Sequence, residues 1–74
     1  MSGDISLKVL SKSLGNMVLV RLRNGKILRG LLQGYDQHMN IVLDDADEIV
    51  TENESNKLGT IVVRGDNIIM ISPS

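Results

Sequence analysis

The dipeptide Asn24-Gly25 separates two strand-like segments, and it constrains the fold of this chain more than any other feature of the sequence. The segment before it, residues 17–23, is rich in β-branched and aliphatic residues, and the segment after it, residues 26–35, is similarly apolar. Asn-Gly between two such segments is the strongest short-range signal for a β-hairpin with a two-residue type I′ turn. The sequence therefore predicts an antiparallel sheet that contains this hairpin.

Two glycines, Gly30 and Gly34, are spaced so that they share one face of the second strand. Glycine inside a strand marks a sharp bend, a bulge or a close backbone approach. Two of them on one strand indicate a sheet that curls into a small barrel. The remaining pattern predicts strands over residues 40–50, 58–63 and 68–71, with a polar loop over residues 51–57 and a tight turn over residues 64–67.

The residues before the sheet favour a short helix, over about residues 5–14. Leu7, Leu10 and Leu14 are spaced to form one apolar stripe, with Val9 near it. Asp4 or Ser6 is the candidate cap at its start, and Gly15-Asn16 is a natural stop. The predicted fold class is all-β: a short N-terminal helix followed by a bent five-stranded antiparallel sheet, as a single domain over residues 1–74.

The short length of the chain predicts that it assembles with other copies of itself. A domain of 74 residues buries a small share of its surface, so its own core is marginal. Disulfides, a metal or neighbouring subunits usually reinforce such domains. The chain has no cysteine and one histidine, which excludes disulfides, thiolate metal sites and a histidine-built zinc site within one chain. We therefore expect a homo-oligomer.

Membrane insertion and secretion are not expected. No apolar run approaches the length that spans a bilayer, and the first residues lack the basic and apolar regions of a signal peptide. The expected location is the cytoplasm, and no membrane partner is expected.

Catalysis has little support in the sequence. There is no thiol, no nucleophile elbow around the serines, and no glycine-rich phosphate loop with a lysine. We therefore expect no enzymatic activity, no cofactor and no small-molecule substrate. A run of acidic residues could bind a divalent cation, but its even spread along the end of a strand is more typical of a solvated rim: Asp44, Asp45, Asp47 and Glu48.

The scarcity of aromatic residues restricts how the chain could bind nucleic acid. Single-stranded RNA is usually held by stacking its bases on aromatic or guanidinium planes. Tyr35 is the only aromatic residue of the Phe, Trp and Tyr class, which argues against an RNA-recognition motif or an OB-fold, and we expect Tyr35 to lie in the core. The net charge of −1 also argues against a broad basic surface. We expect Arg21, Arg23 and Arg29 to form a solvated face.

Two short motifs carry a more specific signal. The sequence Leu-Arg-Gly-Leu-Leu at residues 28–32, with Gly-Tyr-Asp-Gln-His-Met-Asn-Ile-Val-Leu at residues 34–43, resembles the first signature of the Sm and Sm-like proteins. The sequence Ile-Val-Val-Arg-Gly-Asp-Asn-Ile at residues 61–68 resembles the second. The two motif regions span about residues 17–50 and 58–71, so the resemblance covers nearly the whole chain.

This resemblance implies a ring, commonly of seven subunits, that binds uridine-rich single-stranded RNA around its pore and acts as an RNA scaffold or chaperone. By position, His38 would stack on a base, Asn40 would bond to the base edge, and Arg64 would cover the other face. Gly65 and Asp66 would shape the pocket. The Arg64-Gly65 pair is similar to archaeal and eukaryotic members and differs from the bacterial host-factor ring protein. The short chain looks most like an archaeal homo-oligomeric member, although many eukaryotic relatives have Phe or Tyr in place of His38.

Recognition of uracil by Asn40 requires that its amide cannot flip. Uracil offers an N3–H donor beside the O4 acceptor, and a side-chain amide can answer both. A free amide would accept cytosine equally well, because exchanging its oxygen and nitrogen reverses its pattern. We expect the Asp36 carboxylate or a backbone N–H near Gly65 to fix the amide.

A different function class is a small β-barrel module that binds a protein partner through its strand edges and has only incidental affinity for RNA. Under that hypothesis His38 and Asn40 are ordinary turn residues, and Arg64-Gly65 is a hairpin in which glycine permits a positive φ. Such a module would usually present exposed aromatic residues in a groove, and this chain has almost none.

Overall fold

The chain forms an N-terminal helix and five antiparallel strands in the computed structural model, which describes residues 2–74 and the side chains of residues 7–74. The predicted fold class is confirmed. Within the described residues no helix has the length and apolar character needed to cross a membrane. The elements are α1 (Ser2–Ser13), β1 (Met17–Leu22), β2 (Ile27–Tyr35), β3 (Ile41–Thr51), β4 (Glu54–Val63), a short 3-10 turn (Gly65–Asn67) and β5 (Ile68–Pro73).

The five strands form one sheet in the order β4-β3-β2-β1-β5, so β4 and β5 are its two edges. Strands β2 and β3 pair with two interruptions of register, between Arg29 and Leu31 and between Leu32 and Gly34, and such bulges bend a sheet. A Cβ atom at Gly30 would lie 3.0 Å from the Cβ of Leu43 and 3.2 Å from the Cβ of Ala46. The two strands therefore approach so closely that a side chain at Gly30 would displace its neighbours, in agreement with the prediction from the glycine spacing.

The core lies inside the bent sheet, and α1 covers part of it. Alternate residues of β1 and β2 point inward, as the strand period requires. The helix contributes Leu10, whereas Val9 and Leu14 are exposed. The buried apolar residues are Leu10, Val18, Val20, Leu22, Leu28, Leu32, Ile41, Leu43, Ala46 and Val63.

The helix begins earlier than predicted and ends where predicted. It starts at Ser2, so Asp4 and Ser6 lie within its first turns and not at its start, and their side chains lie outside the described residues. At the other end Gly15 has a φ of +81°, which ends the helix, and the Asn16 N–H donates to the Ser13 carbonyl at 3.0 Å.

The hairpin at Asn24-Gly25 is present, but its turn is not of type I′. Type I′ requires a positive φ at both central residues, and here Gly25 has a φ of +87° while Asn24 is not in that region. The Gly25 N–H instead donates to the Leu22 carbonyl at 2.9 Å, and the Asn24 side-chain oxygen accepts the Lys26 N–H at 3.0 Å. This is a three-residue loop that combines a conventional turn with a left-handed glycine.

The predicted polar loop over residues 51–57 is wrong. Strand β3 continues to Thr51 and β4 begins at Glu54, so only Glu52 and Asn53 form the turn. The added part of β4 pairs with β3 through Glu48 opposite Asn56 and Ile49 opposite Ser55. Its side chains are exposed, so it lacks the apolar alternation by which strands are recognised in sequence.

Candidate functional site

The turn between β2 and β3, residues 36–40, is organised by the Asp36 carboxylate. One of its oxygens, Oδ1, accepts the backbone N–H groups of His38 at 2.8 Å and Asn40 at 3.1 Å. The other, Oδ2, accepts the Asn40 side-chain Nδ2 at 2.9 Å. Met39 has a φ of 66°, and its partly buried side chain packs against the core. These contacts give the 36–40 turn one defined conformation, in which the His38 side chain is exposed.

The same hydrogen bonds hold the pKa of the Asp36 carboxyl below its ordinary value of 3.8. The largest contribution is the hydrogen bond from the Asn40 side chain. The backbone N–H groups of His38 and Asn40 lower it further, and partial desolvation acts in the opposite direction. A carboxylate that accepts several hydrogen bonds favours its charged form. Asp36 is therefore an acceptor toward Asn40 at neutral pH.

The turn between β4 and β5, residues 64–67, packs directly on the 36–40 turn. The Gly65 N–H donates to the Asn40 Oδ1 at 2.8 Å. A Cβ atom at Gly65 would lie 2.1 Å from the His38 carbonyl oxygen and 2.8 Å from the Met39 carbonyl carbon. Residue 65 must therefore be glycine because of this close approach. Its φ does not lie in the left-handed region, so a positive φ is not the reason.

The two turns together fix the orientation of the Asn40 amide. Its oxygen faces the Gly65 N–H, and its nitrogen faces the Asp36 carboxylate. Both groups considered from the sequence as restraints on this amide are present. An amide nitrogen carries two hydrogens and its oxygen two lone pairs, so one donor and one acceptor remain for a ligand. That pair matches the O4 and N3–H of uracil, and a flip to suit cytosine would break both hydrogen bonds.

The two side chains predicted to cover the faces of a base are exposed. Arg64 is 81 % exposed, and its Nε lies 3.9 Å from the Oδ1 of Asp66, which is exposed as well. A contact of this kind between solvated groups contributes little to stability, so it leaves the guanidinium free to rearrange on a ligand. The structure thus brings Asp36, Asn40 and Gly65 into contact and leaves His38, Arg64 and Asp66 at the surface around them.

Sequence reasoning missed one residue of this region. Arg23 is exposed, as expected, and its Nε also donates to the backbone carbonyl of Asp66. These residues are 43 positions apart, and they meet because β1 pairs with β5. No local pattern signals this contact. Arg21 and Arg29 are exposed, and Tyr35 is partly buried against the core, as expected.

The acidic residues expected at the end of a strand lie within β3, which continues to Thr51, and they show no arrangement for a cation. Asp44 accepts a hydrogen bond from the Thr60 hydroxyl at 2.7 Å, and Asp45 is exposed with a φ of 51°. Across the part of the chain that the structure describes, no three His, Cys, Asp or Glu side chains are grouped to hold a metal ion.

A bent five-stranded sheet with an N-terminal helix, carrying two turns that hold a polar amide between them, defines a small β-barrel domain. The family model described as the LSM domain matches residues 8–73. An snRNP Sm-like protein of Methanococcoides burtonii is 45 % identical over 71 residues, which are 96 % of this chain and 99 % of the relative. The chain therefore belongs to the LSM-domain family, which comprises the Sm and Sm-like proteins.

Solved structures of archaeal relatives are similar over nearly the same span. A heptameric archaeal Sm protein superposes with a TM-score of 0.83 and 45 % identity, over 90 % of this chain and 97 % of the relative. The Sm protein of Pyrococcus abyssii, solved in complex with a uridine heptamer, superposes with a TM-score of 0.84 and 48 % identity. That match covers 92 % of this chain and 96 % of the relative.

Proposed function

We propose that this chain is a subunit of a closed ring of seven copies that binds uridine-rich single-stranded RNA. In this proposal the ring is not an enzyme, and it acts as a scaffold or chaperone in ribonucleoprotein assembly or RNA processing. The observation that carries it is the Asn40 amide, because Asp36 and the Gly65 N–H leave it one donor and one acceptor in the order that uracil requires.

Two features of the sheet support the ring. Strands β4 and β5 are its edges, and both carry exposed apolar residues, among them Val62 at 69 % and Ile69 at 61 % exposure. An apolar edge without a partner is a liability for a monomer. A related archaeal protein of the same fold is heptameric.

The proposed RNA is supported by the base site and by a relative. His38 and Arg64 are exposed on the two turns that hold Asn40, where they can cover the two faces of a base whose edge meets the Asn40 amide. In a ring, each subunit would take one base, so that seven pockets would engage a heptanucleotide. The Pyrococcus abyssii relative was solved with a uridine heptamer.

A filter-binding experiment with the purified protein tests the RNA specificity. Heptamers of uridine, cytidine and adenosine are compared at one salt concentration, because affinities for nucleic acid depend strongly on salt. We expect clear preference for uridine, while equal binding to all three would contradict the proposal. Native mass spectrometry of the same sample tests the ring. We expect a heptamer, and a monomer would contradict the proposal.

A further inference from the structure

Arg23 lies in the turn between β1 and β2 but hydrogen bonds twice to the 64–67 turn. Its side-chain Nε donates to the carbonyl of Asp66, and its backbone N–H donates to the carbonyl of Asn67 at 2.9 Å. Both acceptors belong to the 3-10 turn that immediately follows Arg64. The first hairpin of the fold is therefore attached to the segment that carries part of the proposed base site.

The hydrogen bonds of the 64–67 turn show which contacts hold it in place. The Arg64 carbonyl accepts the Asn67 N–H at 3.0 Å, and the Gly65 carbonyl accepts the Ile68 N–H, so these two bonds close the turn on itself. The carbonyls of Asp66 and Asn67 instead accept hydrogen bonds from Arg23. At the start of the turn the Gly65 N–H meets the Asn40 amide.

We infer that Arg23 is a positioning residue for uracil recognition. It fixes the end of the 64–67 turn, so that the Gly65 N–H at the start of that turn stays aimed at the Asn40 oxygen. Without the side-chain hydrogen bond, the Arg23 backbone N–H alone holds the end of the turn, so the turn can shift relative to the 36–40 turn and weaken the hydrogen bond from the Gly65 N–H to the Asn40 oxygen. The inference rests on the proposed function, since it assigns to Arg23 a part in the uracil selectivity of that site.

The alternative role for an exposed arginine in an RNA-binding protein is a phosphate contact, which depends on its charge. The positioning role depends instead on a donor at the ε position of the side chain. The Nε atom is the innermost of the guanidinium nitrogens, and here it is engaged with a backbone carbonyl. The two roles therefore make opposite demands on a replacement side chain.

Three variants of Arg23 separate these demands. Arg23→Gln removes the charge but places an amide nitrogen or oxygen at the ε position, so it can keep the donor. Arg23→Lys keeps the charge but has a methylene at that position, with the ammonium one atom farther out. Arg23→Met places a methyl group at the ε position, as long as glutamine, and has neither donor nor charge. Size-exclusion chromatography first establishes that each variant has the oligomeric state of the wild type.

The measurement is the ratio of affinities for uridine and cytidine heptamers, together with the salt dependence of uridine binding. We expect Arg23→Gln to keep the ratio within about twofold, and Arg23→Lys and Arg23→Met to lower it roughly tenfold, as for the loss of a charge-assisted hydrogen bond. The salt slope should be unchanged in Arg23→Gln. A role that only stabilised the fold would lower the melting temperature without changing the ratio well below that temperature.

The inference is overturned if Arg23→Lys behaves as wild type while Arg23→Gln binds weakly, with a salt slope reduced by about 0.7 for each lost phosphate contact. Unchanged ratios in all three variants overturn it as well. Hydrogen exchange of the peptide containing residues 64–68, without RNA, should be faster in Arg23→Lys and Arg23→Met than in Arg23→Gln. If the wild type shows no preference for uridine, the proposed function fails, and the exchange measurement still decides whether Arg23 holds the turn.

Discussion

In the proposed base site, selectivity for uracil depends on how Asn40 is held as much as on Asn40 itself. A freely rotating asparagine presents its donor and acceptor in either order, and so it pairs with uracil and cytosine alike. In this chain a carboxylate on one side and a backbone N–H on the other leave a single order. In the proposed function, Asp36 and Gly65 determine which base binds without touching it.

Replacing Asp36 with asparagine should therefore weaken discrimination more than binding. The new side chain can present a donor or an acceptor to the Asn40 amide, so the amide is no longer forced into one orientation. We expect the preference for uridine over cytidine heptamers to fall by about tenfold, the usual effect of losing a hydrogen bond to a charged group. Asp45→Asn, which makes the same change on an exposed residue in the middle of β3, is the matched control. Full discrimination in Asp36→Asn would show that the amide is oriented by other contacts.

The titration of Asp36 tests its hydrogen bond with the Asn40 side chain. Its pKa lies below the ordinary 3.8, so its hydrogen bonds favour the folded state at pH values above 3.8, and this contribution is lost as the pH falls through the lowered pKa. We expect carboxyl-detected NMR to give a midpoint below 3.8 in the wild type. Asn40→Ala should raise that midpoint, because the Asn40 side chain is the largest cause of the lowering. An equal midpoint in the two proteins would mean that the Asn40 side chain does not lower the pKa.

Gly65 should tolerate no side chain, because the added Cβ would overlap the His38 carbonyl oxygen. Relieving this overlap requires the two turns to separate, so Gly65→Ala should destabilise the fold by about 1–3 kcal/mol, as overpacking typically does. Urea denaturation measures the change in the free energy of unfolding. Gly34→Ala is the matched control, since a Cβ there would meet only a Val42 methyl at 4.0 Å. Similar stability of the two variants would argue against close contact between the turns.

At the scale of secondary-structure elements, the sequence predicts those bends and turns that depend on a few neighbouring residues. The glycines of β2 and the Asn24-Gly25 dipeptide correctly predict the bend and the first hairpin. The type of that turn was wrong, because Asn-Gly also suits a loop in which only the glycine is left-handed. The choice between the two loops depends on the register of the strands, which the dipeptide does not encode.

The hairpin of β3 and β4 shows why part of the sheet was not predictable. Its outer half, from Glu54 to Lys57, is polar and exposed, so there is no hydrophobic period to read. It is a strand because β3 beside it supplies a ladder of backbone partners. Pairing of this kind is a tertiary property, and a polar segment gives the same sequence signal whether or not a partner strand is present.

Part of the candidate site can be predicted from the sequence, and part depends on the packing of distant segments. Asp36, His38 and Asn40 lie in one five-residue turn, so their grouping is visible in the sequence, and resemblance to a known family adds the partner turn at residues 64–67. The attachment of Arg23 to Asp66 crosses 43 positions and requires the adjacency of β1 and β5. The direction of each hydrogen bond to Asn40 likewise becomes known only from the packing of one turn on the other.

At the scale of the whole molecule, the sheet has two different unpaired edges, β4 and β5. Pairing β4 of one subunit with β5 of the next is a heterologous contact, which generates a ring when the rotation closes. The proposed ring therefore predicts that each edge is needed and that the two edges are not interchangeable. A symmetric dimer would instead pair an edge with its own copy.

Lysine on either edge should prevent assembly, because a charge on an edge strand disfavours further pairing. We expect Val62→Lys on β4 and Ile69→Lys on β5 each to give monomers by native mass spectrometry. Val50→Lys is the control, since Val50 is also exposed but lies on β3, an inner strand that pairs with β2 on one side and β4 on the other. The monomers should bind a uridine heptamer at least about a hundredfold more weakly than the ring, because they lose the effective concentration of linked pockets.

Mixing the two monomeric variants distinguishes the heterologous ring from other assemblies. The intact β5 of the Val62→Lys chain can still pair with the intact β4 of the Ile69→Lys chain, and both edges left over carry lysine. The mixture should therefore form a heterodimer with one chain of each variant and grow no further. Rings in the mixture would mean that lysine does not block an edge, and monomers alone would mean that β4 and β5 do not pair with each other between subunits. A homodimer of either single variant would indicate that an edge pairs with its own copy.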